Sequence, residues 1–249
     1  MSSTAPLAQP DRLAELRGNL TAVRSRIEAG CVAAGRSSAE ITLIAVTKFF
    51  PVTDVALLAE LGVTDVGESR DQDASVKAVE LAEHTGARVR WHFIGRLQTN
   101  KARSVARYAD LVHSVDRPAL ADALADGVRR AERASLDVLV QLNLDEGAED
   151  VPTGRGGSSD DELLRLADRV AASAQLRLAG IMAIAPLGGD PDRAFDRLAG
   201  VAGRLRTEHP EADVVSAGMS DDLEAALRHG ATHVRIGTAL LGRRAQQFG

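Results

Sequence analysis

Eight short apolar runs recur along the chain, and each is followed by a longer segment with helical spacing. The runs are continuous rather than alternating, which is typical of parallel strands buried on both faces. The predicted strands are Ile41–Thr47, Thr64–Val66, Val89–Ile94, Leu111–Val115, Val138–Leu144, Leu178–Ile184, Val214–Ser216 and His233–Ile236. The predicted helices after them are Val52–Leu61, Asp71–His84, Gln98–Tyr108, Arg117–Ala134, Ser159–Ala174, Asp192–His209, Asp221–His229 and Ala239–Gln246. Eight such units in 249 residues predict an α/β fold, a single (β/α)8 TIM barrel.

An additional helical pattern, Asp11–Ala34, precedes the first predicted strand. Residues 1–10 are small and polar, and we expect them to be disordered. No linker divides residues 11–249, so they are predicted to form one domain, with Thr153–Ser159 as a flexible loop inside it. The main competing architecture is a doubly wound open sheet. It usually has fewer strands and a GxGxxG turn after the first one, and that turn is missing here.

Composition excludes several classes of protein. The apolar runs are all far shorter than the roughly 20 residues of a membrane-spanning helix, and the N-terminus lacks a signal-peptide pattern, so we expect a cytoplasmic protein. A single cysteine cannot form an intrachain disulfide or a thiolate zinc site. A net charge of −5 and an aromatic content of 3% argue against a nucleic-acid partner.

Lysine is scarce, since only Lys48, Lys77 and Lys101 occur among 30 basic residues. Lys48 ends the first predicted strand, and active sites of this fold lie at the carboxyl ends of the strands. We expect partial desolvation there, which would favour a neutral, nucleophilic amine able to form an imine. The alternatives are a lysine that extends out of the barrel rim, or one that pairs with Glu68.

Glycines and hydroxyl residues follow the seventh and eighth predicted strands. The segments are SAGMSDD at 216–222 and RIGT at 235–238. These are the two loops where such barrels most often hold a phosphate, and free N–H groups before a helix favour an anion. An alternative for the first loop is a capping box, with Ser220 as the N-cap of the next helix. That alternative leaves Gly218 and Gly237 without a role. A reactive lysine and a phosphate site on one rim fit an aldehyde that carries a phosphate, such as pyridoxal phosphate (PLP).

The sequence resembles the pyridoxal phosphate homeostasis proteins of the YggS/PROSC type from about residue 12 to residue 244. The blocks that carry the resemblance are AVTK at 45–48, VGES at 66–69, HFIGRLQTNKAR at 92–103, SVDR at 114–117, GIMAIAP at 180–186, SAGMSDDLEAAL at 216–227 and GATHVRIGTALLG at 230–242. The chain departs from the family pattern at Ser69, where Asn is usual, at Asp71 and Asp73, and at Ala217, where Met is usual.

The resemblance implies a fold like the N-terminal barrel of bacterial alanine racemase. It implies that Lys48 holds pyridoxal 5′-phosphate as a Schiff base and that Arg235 faces the pyridine nitrogen. It further implies a phosphate site; its residues are Ser216, Gly218, Met219, Ser220, Gly237 and Thr238. An arginine beside the ring nitrogen keeps that nitrogen unprotonated, which makes the ring a poorer electron sink.

The function implied is that of a non-catalytic carrier in intracellular PLP homeostasis, monomeric, with apo PLP-dependent enzymes as partners. Two alternatives stay open. One is a PLP-dependent enzyme with weak racemase activity, although the only tyrosine, Tyr108, lies on a predicted helix. The other is a PLP-independent aldolase that uses Lys48 for a Schiff base with a sugar phosphate.

Other polar residues receive plainer predictions. His92, between Trp91 and Phe93, is expected to be a hydrogen-bonded core residue, and the histidines show no metal-binding spacing. Asn143 either reaches the barrel mouth or caps the next loop. Lys77 and Lys101 are expected to be solvated on helices. The pairs Arg129–Arg130 and Arg243–Arg244 are expected to be solvated helix charges.

Overall fold

The computed structural model describes residues 10–145 and 156–242. Its eight strands form one closed parallel barrel in the order β1 to β8, with β8 hydrogen-bonded to β1. The strands are β1 Thr42–Val46, β2 Asp65–Glu68, β3 Arg90–Phe93, β4 Leu111–Val115, β5 Leu136–Leu142, β6 Leu176–Ala183, β7 Val214–Ser216 and β8 His233–Ile236. The predicted (β/α)8 barrel is confirmed, and the open-sheet alternative is wrong because β1 and β8 are paired.

Helices connect the strands on the outside of the barrel. They are α1 Pro10–Ala33, α2 Val52–Glu60, α3 Asp71–Thr85, α4 Ala102–Tyr108, α5 Pro118–Arg130, α6 Asp160–Ala171, α7 Pro191–Glu208, α8 Leu223–Arg228 and α9 Thr238–Leu241. Pro10 is the first residue of α1, where its fixed φ suits the first helical turn, while residues 1–9 lie outside the described part of the chain. The predicted final helix continues to Gln246, but residues 243–249 lie outside that part too. Among the described residues, no helix has the length and apolar character needed to cross a membrane.

Helix α1 packs on the C-terminal part of the barrel. Its buried face contacts a core cluster that includes residues of α8 and α9; the buried residues of α1 are Leu16, Leu20, Val23, Ile27 and Cys31. Polar bonds reinforce the contact, because Asn19 donates to the carbonyl of Leu240 at 3.0 Å and Arg26 donates to the carbonyl of Ser220 at 2.6 Å. The N-terminal helix therefore supports the loops that follow β7 and β8.

The interior of the barrel is partly apolar. Leu111, Leu139, Ala179 and Met182, from β4, β5 and β6, form a small buried cluster of their own. Buried polar side chains lie elsewhere on the strands, and they include Asp65, His92, His113, Ser216 and Arg235. The interior of such a barrel is usually packed with branched apolar side chains, but here polar side chains occupy part of it.

The described part of the loop predicted to be flexible is bonded to β5. Ser158 N donates to the carbonyl of Gln141 at 2.9 Å, and Asn143 N donates to the carbonyl of Ser158 at 3.0 Å. The Ser158 hydroxyl also donates to the carbonyl of Asp116 at 2.8 Å. Residues 153–155 of this loop lie outside the described residues. Its C-terminal end is an ordered extension of the barrel rim rather than a free loop.

Candidate cofactor-binding site

The fold brings the predicted site residues to one sector of the barrel rim. Lys48 follows β1, Ser216 is the last residue of β7, and Arg235 lies on β8. Because β8 is paired with both β7 and β1, the ends of these three strands are adjacent. The remaining predicted residues lie in the two loops after β7 and β8; they are Gly218, Met219, Ser220, Gly237 and Thr238.

Lys48 is exposed at the end of β1. The expected partial desolvation of its side chain is therefore wrong for this structure. Its amine has no hydrogen bond or ion pair with another residue in the described ranges. The next residue, Phe49, has a φ of 71°, a left-handed conformation that is rare for a bulky residue. Such strained positions cluster at functional sites, and this one lies in the turn directly after Lys48.

Lys77, not Lys48, pairs with Glu68. The Lys77 ammonium lies 2.7 Å from Glu68 Oε1 and donates to the carbonyl of Thr47 at 3.0 Å. The hydroxyl of Thr47 donates to the same carboxylate oxygen at 2.7 Å. The prediction that Lys77 is solvated is wrong, since only 8% of this residue is exposed. The signal that could have found the pair is Glu68, an acidic residue inside a buried strand that needs a cation.

Arg235 is buried at the centre of the sector. It donates from Nη1 to Ser216 Oγ at 2.6 Å and from Nη2 to the carbonyl of Ala183 at 3.0 Å. Burial lowers the pKa of Arg235 to about 10, so the guanidinium remains a cation at neutral pH. Ser216 is fully buried, and its oxygen also lies 2.9 Å from His113 Nδ1. The structure thus places the Ser216 hydroxyl beneath the rim, against Arg235, and not on the open side where a phosphate would enter.

The loop after β7 depends on Gly218. This residue has a φ of 92°, and a Cβ atom added there would lie 2.7 Å from the Cβ of Ala226. Only glycine fits both the conformation and the close approach to α8. The carbonyl of Gly218 accepts a hydrogen bond from the Arg235 N–H at 3.0 Å, which joins this loop to β8.

The rest of this loop is not a capping box. Helix α8 begins at Leu223 with Asp222 as its N-cap residue, so the alternative that made Ser220 the N-cap is wrong. Asp222 Oδ1 instead accepts a hydrogen bond from the N–H of Met219 at 2.6 Å. The side chain of Met219 is 38% exposed on the rim. An anion that used the N–H of Met219 would have to replace the Asp222 carboxylate.

The loop after β8 is short. Gly237 precedes the one-turn helix α9, and its carbonyl accepts hydrogen bonds from the N–H groups of Leu240 and Leu241 at 3.0 and 2.8 Å. A Cβ atom at Gly237 would lie 3.5 Å from Val46 Cβ, an ordinary contact. Thr238 is exposed at the start of the helix. Both residues lie beside the end of β1 and therefore beside Lys48.

Several other predicted residues have clear positions. His92 is buried and hydrogen-bonded, as predicted. Asn143 caps the following loop, because its Oδ1 accepts from Asp145 N at 2.9 Å. Arg129 and Arg130 pair with Asp126 on the solvent side of α5, as expected, while Arg243 and Arg244 lie outside the described residues.

Tyr108 lies at the end of α4, as the sequence predicts, and its hydroxyl oxygen is inaccessible to solvent. Burial, reinforced by the nearby carboxylates of Asp71 and Glu68, raises the pKa of this phenol. Lys101 lies in a short 3-10 helix before α4 and is partly exposed. It lines a cavity of about 540 Å³ together with Ser69, one of the departures from the family pattern.

Comparison with known proteins agrees with the fold. The family described as alanine racemase, N-terminal domain, matches residues 13–245. The pyridoxal phosphate homeostasis protein of Mycobacterium tuberculosis (strain H37Rv) is 48% identical over 256 residues, covering 95% of this chain and 96% of that protein. The protein of the same name from Escherichia coli K12 is 39% identical over 233 residues, covering 92% and 97%.

Solved structures show the same fold. PipY of Synechococcus elongatus, determined with PLP bound, superposes with a TM-score of 0.77 at 29% identity, covering 91% of this chain and 100% of that one. Alanine racemase of Streptomyces coelicolor superposes with a TM-score of 0.71 at 19% identity, covering 93% of this chain and 59% of the enzyme. The matches define a single barrel of the alanine racemase N-terminal domain type. The chain belongs to the family of pyridoxal phosphate homeostasis proteins.

Proposed function

We propose that this chain binds pyridoxal 5′-phosphate on the β7–β8–β1 sector of the rim and acts in cytoplasmic PLP homeostasis as a carrier without substantial catalysis. The observation that carries the proposal is the position of an exposed amine, Lys48, which has no polar partner among the described residues, and a buried cation, Arg235, at adjacent strands of one rim. The relatives' shared name and the PLP-bound PipY structure support it.

Lys48 is assigned the covalent attachment. Its amine would add to the cofactor aldehyde, a C=N bond would form, and the carbonyl oxygen would leave as water. Its exposure supports this role, because a carrier must load and release its cofactor from solvent. The positive φ of Phe49 and the buried Lys77–Glu68 pair hold the end of β1 that presents Lys48.

The phosphate is assigned to the two loops beside Lys48. Its proposed contacts are Gly218, Met219, Ser220, Gly237 and Thr238. The positive φ of Gly218 and its close approach to α8 fix the course of the first loop beside β8. The resemblance also assigns Ser216 to the phosphate. Because its hydroxyl is bonded to Arg235 and lies against His113, we assign it an indirect role, in which it supports the phosphate loop from the barrel interior.

Arg235 is assigned to the pyridine nitrogen. A guanidinium with a pKa of about 10 keeps its proton at neutral pH, and a second positive charge on the ring nitrogen beside it would be repelled. Bound PLP would supply an electrophilic ring system, but an unprotonated ring withdraws electrons weakly, which favours storage over carbanion chemistry. The buried phenol of Tyr108, with its raised pKa, supports the same conclusion, because it is a poor candidate for a second base.

Two measurements on the PLP-loaded protein distinguish a carrier from an enzyme. We expect it to restore activity to an apo PLP-dependent enzyme at a rate that rises with its concentration, and we expect no deuterium at Cα when L-alanine is incubated with it in D₂O. Deuterium incorporation at a rate proportional to protein concentration would replace the carrier function with a racemase. If the recipient is reactivated no faster than by the same concentration of free PLP, direct transfer is excluded and only buffering remains.

A further inference from the structure

A continuous chain of buried polar groups crosses the interior of the barrel. It joins Asp65 on β2, His92 on β3, His113 on β4, Ser216 on β7 and Arg235 on β8. From one end to the other, the four links measure 2.8, 2.9, 2.9 and 2.6 Å. Since β4 and β7 are not neighbours in the barrel, the link between His113 and Ser216 passes through its interior. We call this set of five residues the relay.

The two end groups allow one uniform direction of hydrogen bonds along the relay. Arg235 can only donate, so Ser216 Oγ accepts from it, and a hydroxyl proton that points at His113 Nδ1 continues the same direction. His113 Nδ1 is then an acceptor, and Nε2 carries the proton that is donated to His92 Nδ1.

His92 continues the same polarity. Its Nδ1 accepts, so its proton lies on Nε2 and is donated to Asp65 Oδ1 at 2.8 Å. In this arrangement each ring carries its proton on Nε2. All four bonds point from the guanidinium toward the carboxylate, so their dipoles add.

Burial favours the same protonation states. The His113 ring is completely buried, and this desolvation, reinforced by the nearby guanidinium of Arg235, lowers its pKa well below the ordinary value. At the other end, burial by itself disfavours the Asp65 carboxylate, but hydrogen bonds from His92 and Thr64 outweigh it and leave the pKa lowered. The groups near the relay are His233, whose ring centre is 6.3 Å from that of His92, and Arg90, 3.6 Å from Asp65.

We propose that Asp65, His92 and His113 are positioning residues for Arg235: the relay fixes the direction of its guanidinium and connects its charge to a carboxylate across the barrel. This inference rests on the proposed function, because it gives Arg235 its ligand, the PLP ring. Other than through the relay, the guanidinium of Arg235 has only one hydrogen bond to a described residue, the one from Nη2 to the carbonyl of Ala183. Without the relay, that single bond would be left to orient a buried guanidinium.

Packing alone does not account for the relay. On β4, β5 and β6 the interior is filled by Leu111, Leu139, Ala179 and Met182, and a well-packed apolar set is often at least as stable as buried charges. The relay instead joins polar side chains from five strands into one chain of hydrogen bonds that ends at Arg235. We infer that it maintains the orientation of the Arg235 guanidinium. Such supporting groups commonly tune the group that contacts the ligand.

The first test uses the PLP-free protein, so it does not depend on the proposed function. Long-range ¹H–¹⁵N NMR of the ¹⁵N-histidine-labelled protein is expected to show His92 and His113 neutral, with the proton on Nε2. In Ser216→Ala, His113 loses its hydroxyl partner, and its signals are expected to shift toward a mixture of the two neutral forms. A cationic ring, or a proton on Nδ1 in the parent protein, would overturn the relay.

The second test measures PLP affinity by fluorescence titration for Asp65→Asn and for a matched control, Asp137→Asn. Asp137 is also a strand carboxylate that pairs with an arginine, Arg177, but it lies outside the relay. We expect PLP to bind about tenfold more weakly to Asp65→Asn, the effect of losing one charged hydrogen-bond acceptor, and less than twofold more weakly to the control.

A further pair of variants covers the case in which Asp65→Asn does not fold. His113→Gln retains one donor and one acceptor, whereas His113→Leu has neither, and both remain close in size to histidine. We expect the Gln variant to recover most of the affinity that the Leu variant loses. Equal PLP affinity in the folded relay variants and the parent would overturn the positioning role. Failure of the parent protein to bind PLP would instead overturn the proposed function and leave the NMR test of the relay valid.

Discussion

The ammonium of Lys77 lies 2.7 Å from Oε1 of Glu68, and both groups are buried. The same ammonium donates to the carbonyl of Thr47, the residue before Lys48. The pair therefore joins α3 to the ends of β1 and β2 at the point where the proposed attachment lysine leaves the barrel. A charge pair in this place stabilises the geometry of the site as long as both partners are present.

Removal of one partner is expected to be costly. Lys77→Met leaves the Glu68 carboxylate buried and unpaired, and we expect the free energy of unfolding in urea to fall by about 3–5 kcal/mol. Lys101→Met, at a partly exposed position, is the control and is expected to change it by less than about 1 kcal/mol. The double variant Lys77→Met/Glu68→Gln is expected to be more stable than Lys77→Met alone. Similar stabilities of the two single lysine variants would contradict this account of the pair.

A methyl group at Gly218 is expected to disturb the loop after β7. Gly218→Ala combines an unfavourable φ of 92° with a clash of 2.7 Å against Ala226, so we expect a loss of about 1–3 kcal/mol in unfolding free energy and weaker PLP binding. Gly200→Ala, in the exposed middle of α7 with no atom within 4 Å of the added Cβ, is expected to be neutral or up to about 1 kcal/mol more stable. Equal unfolding free energies for the two variants would show that the loop does not require glycine at position 218.

Helix α1 is expected to influence PLP affinity through Arg26. Its guanidinium donates to the carbonyl of Ser220 and pairs with Glu224, so it holds the proposed phosphate loop from outside. We expect Arg26→Ala to weaken PLP binding several-fold while unfolding free energy changes by less than about 1 kcal/mol, since the ion pair is half-exposed. Arg17→Ala, on an exposed face of α1, is the control and should leave both quantities unchanged. A large loss of stability without a change in affinity would assign Arg26 to folding alone.

Stability is expected to fall on mild acidification because of His233. Burial lowers its pKa to about 4, whereas in the unfolded chain it is about 6.5. Below pH 6.5 the unfolded chain therefore binds a proton that the folded protein does not. From pH 7 to pH 5, this histidine alone should remove about 2 kcal/mol of unfolding free energy. Unfolding in urea should be measured at both pH values for the parent and for His233→Asn. The decrease in unfolding free energy from pH 7 to pH 5 should be smaller in the variant by this amount. An equal loss in parent and variant would show that His233 is not the responsible group.

The barrel could be predicted from the sequence because eight short, mainly apolar or β-branched runs alternate with segments of helical spacing. β4, β7 and β8 match the predicted bounds, and the others differ at their ends. The difference at β5 has a physical reason. It begins at Leu136 rather than Val138, since the charged Asp137 pairs with Arg177 on β6 and the sheet continues through it.

The polar interior could not be predicted in the same way. His113 and Ser216 are 103 residues apart in the chain, and only closure of the barrel brings them to 2.9 Å. The prediction that Lys77 is solvated was wrong because helical spacing gives only the position of a residue on its helix. It cannot show that a long lysine side chain reaches a buried carboxylate on the neighbouring strand. Strand order did place Lys48 and Arg235 on one rim, but a left-handed conformation at the bulky residue Phe49 could not be predicted from its residue type.

The central claim is that Lys48 carries the cofactor. The most direct measurement is the visible absorption spectrum of the purified, PLP-incubated protein, followed by borohydride reduction and peptide mapping, with Lys48→Ala and Lys101→Ala treated alongside. We expect a yellow protein with a pyridoxyl group on Lys48, an undiminished signal in Lys101→Ala and loss of that signal in Lys48→Ala. A parent protein that stays colourless and unmodified, or one labelled at another lysine while Lys48→Ala keeps its colour, would contradict the account.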